Sequence, residues 1–378
     1  MVQSHGMPFG KIILEAFIAW CIAAGLVVVA AYAAGVDPFN ASSYARADSG
    51  HYLRIANWGY EFFSCARLPD YDPTQWCGNT GWMPGYPLLI RLITTLDIGD
   101  EVAGSACSCV FFFGSLVILR LLLQKARPAH DNAACFLAAS VFPGGIYFFS
   151  IFPISFFMFL ALGTILLLAT RHYWFASLLA AAGAFVYSTG FLLSGVVGVA
   201  ALCDRSLGPA GTRLIKAVQF GLVAFCGLLA VLVLHQLVVG QWNAFFLVQA
   251  KYGHGIHNPV GTILNALNWK DRGNPMAWSR DIQTILVVCT VLTALASLLR
   301  GDQPVTRIEW LAATHVGLLW LFPLIMGTHV SLTRAEANLL PLVVLLGRSP
   351  AAVQGLVTLC FAFLAFEVDI AFFKSVLV

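Results

Sequence analysis

Of the 378 residues, 59% are hydrophobic and only 10% are charged, against roughly 25% charged in a soluble domain. The net charge is +3 with no long basic run, which excludes nucleic-acid binding as the organising function. At roughly 20 residues per crossing, the chain has room for about ten membrane spans and little else.

The first apolar run, Ile12–Gly35, follows Lys11 and ends at Gly35 and Pro38. No small-residue cleavage site closes it, so it reads as an uncleaved first span. A polar stretch, 36–101, comes next. Apolar runs then recur at 102–124, 133–150, 152–170, 173–188, 190–203, 214–239, 281–299, 308–326, 338–347 and 351–373, making eleven candidate spans. Pro143, Gly144, Gly145 and Pro153 predict broken or short helices in two of them. Such breaks are tolerated where neighbouring helices or a cavity satisfy the freed backbone groups. The predicted fold class is all-α: a polytopic transmembrane helical bundle of about eleven spans, with short interfacial helices in the first long loop. Residues 1–378 read as one integral-membrane domain.

Lys125, Arg127, Arg171, Arg205, Arg213, Lys216, Arg300, Arg307 and Arg348 fall in short loops on one side. The alternate turns near 151 and 189 carry no Lys or Arg. By the positive-inside rule the first set is cytoplasmic. Residues 36–101, the loop 240–280 and the turn 327–337 are then expected to share the extracytoplasmic face. Long loops translocate regardless of their charge, so the cations they hold do not oppose this.

Most of the ten cysteines, such as Cys107, Cys226, Cys289 and Cys360, lie in apolar runs and read as small buried side chains. Cys65 and Cys77 are the two in the outer polar loop, where an oxidising compartment favours a disulfide. No CxxC spacing or paired histidine indicates a metal site, and no cofactor is expected. Asp70 and Asp72 offer a divalent cation two carboxylates, but the plainer reading is a solvated turn.

The stretch Arg46–Arg91 is where carboxylates, cations, a histidine and aromatics crowd together. If 43–57 is helical, Asp48, His51, Tyr52 and Ile55 share one face, although Gly50 weakens that helix. A carboxylate beside a histidine at the membrane surface suits a general base that takes a proton from an attacking hydroxyl. The alternative is a helix N-cap shared with Ser49. Arg46, Arg54, Lys251, His254, His257, Lys270, Arg272 and Arg334 form an outer cationic set. Together they suit a phosphate-bearing lipid; singly they suit headgroup contact and snorkelling.

The run Asp48-Ser-Gly-His-Tyr-Leu-Arg-Ile-Ala-Asn-Trp-Gly-Tyr-Glu61, followed by Trp82-Met-Pro-Gly-Tyr-Pro-Leu-Leu89, resembles the first outer loop of the PIG-V-like mannosyltransferases. These belong to the GT-C superfamily of polytopic glycosyltransferases. Gly240-Gln-Trp-Asn-Ala-Phe-Phe-Leu-Val-Gln249 is similar to that family's G-x-x-x-A-F-x-x-x-Q loop. Ser331-Leu-Thr-Arg334, with Pro341, is similar to its late S-x-x-R-Y…P segment. The chain departs from the pattern at Ala47, where the family has Trp, and at Ala335, where it often has Tyr. Ile154 stands where the family often has Glu.

The resemblance implies transfer of a sugar, mannose in this family, from a polyprenyl- or dolichyl-phosphate donor to a hydroxyl acceptor on a lipid, glycan or protein. The first-loop aspartate, Asp48, would be the catalytic base, with His51 beside it. Tyr52, Arg54, Glu61, Trp82, Tyr86, Gln249 and Arg334 are the motif residues expected at the substrates, joined by Lys251, His254 and His257 of the cationic set. An inverting transfer needs one carboxylate to deprotonate the acceptor, while the phosphate leaving group needs no acid. Two other readings stand beside this one. A lipid or lipid-linked-sugar transporter would carry ionisable groups near mid-membrane, whereas these spans are almost bare of charge. A non-catalytic subunit of a glycosyltransferase complex would account for Ile154. The Ala-rich composition points to a bacterial inner membrane with the site facing the periplasm; in a eukaryote it would face the ER lumen.

Overall fold

Within lipid, a lone apolar segment can satisfy its backbone groups only as helix, and helix carries most of the described residues. The structure is a computed structural model that describes residues 7–127, 133–253, 255–266, 277–300, 303–327 and 332–376. Among these, six helices are long and apolar enough to cross a membrane. They are α1 (Phe9–Ala33), α4 (Asp100–Ala126), α9 (Ala210–Val239), α12 (Ala277–Arg300), α13 (Arg307–Met326) and α16 (Ala351–Phe373). Three shorter apolar helices pack among them: α6 (Ile154–Ala169), α7 (Tyr173–Val186) and α8 (Leu192–Cys203). The protein is therefore an all-α, multi-spanning integral membrane protein.

The remaining two expected spans are not continuous helices. The run 133–150 forms α5 (Ala133–Leu137) and two 3-10 turns separated by Pro143 and Gly144. Gly144 adopts φ 73°, and a Cβ there would lie 2.9 Å from the Thr333 carbonyl oxygen. The break thus lets α14 (Leu332–Ala337) approach closely. The run 338–347 contains only the five-residue α15 (Leu342–Leu346), introduced by Pro341. Leu339 to Leu346 are buried almost completely, so this segment is protein core rather than a lipid-facing span. Irregular backbone at this depth survives because protein surrounds it.

Two polar ends give the bundle its direction. At one end of α4, Asn57 of α2 (Ser49–Trp58) donates to Asp100 at 2.7 Å. At the other end, Arg127 meets Glu309 at 2.7 Å, and Glu309 also accepts from Arg348 at 3.0 Å. Thr306 and Glu309 form a capping box that starts α13. Nearby in the sequence pattern, Arg171 and Arg307 share Asp204 at 3.2 and 2.9 Å. Four of the cations that predicted one loop face, Arg127, Arg171, Arg307 and Arg348, are thus held in ion pairs. Twenty residues of α13, about 30 Å of helix, separate Arg307 from Met326, which lies a short way before Arg334.

The opposite end is built by the long loops. The segment 36–101 contains a 3-10 turn (Ala41–Tyr44), α2, α3 (Gly85–Thr94) and a feature the apolar pattern did not suggest. Strands β1 (Phe62–Ser64) and β2 (Trp76–Gly78) pair antiparallel, with Phe63 opposite Cys77. A disulfide joins Cys65 to Cys77 across the hairpin. The second long loop supplies α10 (Ala244–Ala250) and α11 (Pro259–Ala266).

Candidate functional site

The expected helix over 43–57 is interrupted. The 3-10 turn ends at Tyr44, Ala47 takes a left-handed φ of 48°, and α2 begins only at Ser49. Asp48 sits at the N-cap position, yet its side chain makes no capping hydrogen bond. Ser49 Oγ instead accepts from the Arg46 N–H at 3.2 Å. The Asp48 carboxylate is turned to Arg334, whose Nη1 donates to Oδ2 in an ion pair 286 residues apart in sequence. The guanidinium is 15% exposed and the carboxylate 27%. A half-buried pair of this kind keeps more of its strength than a solvated one.

Aromatic side chains surround the pair. The Arg334 guanidinium lies 5.5 Å over the Phe152 ring. Tyr147 and Tyr187 stand close enough to feel both charges, and the Asn338 side-chain amide donates to the Arg334 carbonyl at 3.4 Å. The Asn338 carbonyl in turn accepts from His315 at 3.0 Å. On the far side of α14, Gln283 of α12 donates to Glu336 at 2.8 Å and to the Thr333 carbonyl at 3.1 Å. Arg334 is therefore held on a short helix tied down at several points.

His51, one turn after Asp48, stacks on Trp82 with ring centroids 3.5 Å apart and planes 15° apart. Trp82 is fixed in turn by Tyr60, whose hydroxyl donates to its carbonyl at 2.8 Å. Burial lowers the proton affinity of His51; Asp48 opposes this, while Lys251 and Arg54 reinforce it. Lys251 lies over the rings of Tyr71 and Tyr252, at 5.6 and 5.0 Å. Burial lowers its proton affinity too. The Tyr252 hydroxyl is pushed up to about 12 by burial first and then by Asp48 and Tyr71. The edge of Tyr252 meets Trp82 at 6.5 Å. Gln249 of α10 donates to the Gly81 carbonyl at 2.8 Å, tying the second loop to the first.

Other expected residues occupy different settings. Tyr52 is buried, edge-on to Tyr86 and Phe152. Tyr86 is fully buried, and its hydroxyl bonds to the Gly104 carbonyl and Ser108, both at 2.8 Å, tying α3 to α4. Arg54 and Glu61 face each other loosely at 3.9 Å, both well exposed. The exposed His257 donates its backbone N–H to Ile325 at 2.7 Å, at the end of α13. His254, Lys270 and Arg272 lie outside the described residues. Asp72 accepts from the Thr74 N–H and hydroxyl at 2.9 and 2.6 Å, a local turn contact. Among the described residues, no group of three or more metal-ligating side chains gathers. Ile154 opens α6 and is fully buried.

Sequence reasoning missed Phe152, Tyr147, Tyr187 and Glu336. Glu336 alone left a signal, as an isolated carboxylate in an apolar stretch two residues from Arg334. The aromatics left none, because tyrosine and phenylalanine in apolar runs read as core.

Fold and site together define a polytopic, largely helical membrane protein with a polar, aromatic-walled assembly at one end of its bundle. Comparison with protein-family models found no match to this chain, and comparison with curated proteins likewise found none.

Proposed function

We propose that the protein is a GT-C-like glycosyltransferase that moves a sugar, mannose by its motif resemblance, from a polyprenyl-phosphate donor to an acceptor hydroxyl. One observation carries the reading. Asp48 and Arg334, the two residues matched to the resemblance's first and late motifs, meet at one point although the chain separates them by 286 residues. A base for the acceptor and a cation for the leaving phosphate are what this chemistry requires.

In this mechanism the acceptor oxygen attacks the anomeric carbon from the face opposite the phosphate. Its proton passes to Asp48 as the new carbon–oxygen bond forms. The bond between carbon and phosphate oxygen breaks with its electrons going to the phosphate, and configuration inverts. Arg334 takes up the charge on the phosphate, and Lys251, over the Tyr252 ring, adds a cation from the second loop. His51, stacked on Trp82, sits where it can orient the acceptor. Arg54, Glu61, Tyr252 and Gln249 shape the surroundings, and Tyr52 and Tyr86 support α2 and α3 from beneath. The isoprenyl tail would reach the site from the bilayer. The loops 36–101 and 240–280 would form the extracytoplasmic catalytic face, periplasmic in a bacterium.

Purified protein incubated with synthetic polyprenyl-phosphate mannose and a panel of hydroxyl acceptors tests this. Release of polyprenyl phosphate that depends on acceptor is the expected result. Failure with every sugar and acceptor, in protein that still binds the donor, would favour a lipid-binding or transport role.

A further inference from the structure

The ion pair at the site is asymmetric. Arg334 belongs to α14, which is fixed by the Gln283 contacts with Glu336 and Thr333 and by the close fit of Gly144 against Thr333. Its guanidinium lies against Phe152, with Tyr147 and Tyr187 close by. The cation is thus placed by its surroundings and has little room to move. Asp48 differs. Its backbone is anchored, because the carbonyl accepts from the His51 N–H at 2.9 Å. Its carboxylate makes no hydrogen bond or ion pair among the described residues other than that with Arg334, and it is the more exposed partner. Rotation about the Asp48 side-chain bonds therefore suffices to separate the pair.

A cation held in a half-buried, aromatic-walled position is costly without a counter-ion. An anion that binds Arg334 can stand in for Asp48, while a neutral ligand cannot. We propose that Asp48 and the donor's phosphate compete for the Arg334 guanidinium, so that an anionic donor must bind before Asp48 is freed to act as a base. The proposal rests on the glycosyltransferase reading and adds to it an order of events and a ligand requirement. The base is neutralised by its own arginine until the phosphate arrives. A sugar donor lacking an anionic leaving group leaves the pair intact.

The competition makes an unusual demand: removing the proposed base should improve donor-side binding. The probe is a short-chain polyprenyl monophosphate titrated into detergent-solubilised protein, followed by tryptophan fluorescence. Asp48→Asn should bind it about tenfold more tightly than wild type, within the roughly 5- to 150-fold range of coupled sites. Asp48→Ser should do the same, which guards against a folding defect in one variant. Arg334→Ala should bind more weakly than wild type. In that background, adding Asp48→Asn should change affinity by less than about twofold, since the shared partner is gone. Unchanged or weaker binding in both Asp48 variants would overturn the competition while leaving the transfer reaction standing. A wild-type protein that ignores the probe at every concentration would overturn both.

Discussion

The two ends of the bundle each hold a carboxylate paired with arginine, and the two are built differently. Glu309 is fully buried and saturated: Arg127 takes one oxygen, Arg348 the other, and Thr306 adds its N–H and hydroxyl. Nothing is left over for a ligand. Asp48 uses one oxygen on one arginine, is 27% exposed, and is bordered by aromatics and a histidine. Charge pairing alone therefore does not mark a functional site. What separates the two is that Asp48 keeps unused bonding capacity and stays partly exposed, which suits it to the proposed chemistry, while Glu309 holds α13 and α4 together.

The largest expected stability effect lies at the saturated end. Glu309→Ala leaves two arginines facing each other without their carboxylate, and loss of one partner of a buried pair costs about 3–5 kcal/mol. Thermal unfolding in detergent should show a steep fall in stability or failure to accumulate folded protein. A melting temperature near wild type would remove the distinction between the two ends.

The Cys65–Cys77 bridge should come next. It closes a sequence separation of 12 residues around the β1–β2 hairpin. In the chain-entropy model a loop of about that size is worth roughly 3 kcal/mol. Because the hairpin carries Tyr71 against Lys251, its loosening should also weaken donor-side binding. Mass mapping of alkylated, non-reduced protein should find neither thiol free; finding both alkylated in folded protein would refute the bridge.

His51 gives the smallest effect and the one tied to pH. Burial makes the folded protein hold this proton less firmly than the unfolded chain, whose imidazole titrates near 6.5. The unfolded state then binds more protons, so this contribution to stability is present above about 6.5 and fades as pH falls below it. His51→Phe keeps a ring on Trp82 and should flatten the dependence of melting temperature on pH between about 7.5 and 5.5. An unaltered slope would assign the acid sensitivity to other groups.

Much of the bundle was legible because a span needs a long apolar run, and such runs stand out at Phe9–Ala33 or Ala351–Phe373. Proline and glycine at 143 and 144 marked the broken segment correctly, and their purpose, seating α14, became visible only in three dimensions. The strands at Phe62–Ser64 and Trp76–Gly78 are three residues each and too short for alternation to register. The cationic loops predicted one face without revealing that Glu309 and Asp204 pair with four of those arginines. At the site, local motifs named Asp48 and Arg334 separately. No sequence periodicity connects positions 286 apart, so their pairing, like the placement of Tyr147, Tyr187 and Phe152 around them, had to come from the packing.

The most direct test of the contrast between the two ends is single-turnover sugar transfer by purified Asp48→Asn protein. The substitution keeps the shape and a hydrogen-bonding oxygen but removes the basic carboxylate. General-base contributions are typically about 100- to 10,000-fold. Transfer from a saturating polyprenyl-phosphate sugar should fall by at least about 100-fold, in protein that stays folded and still binds the donor. Transfer at a rate near wild type would contradict the account and make Asp48, like Glu309, a structural partner of its arginine.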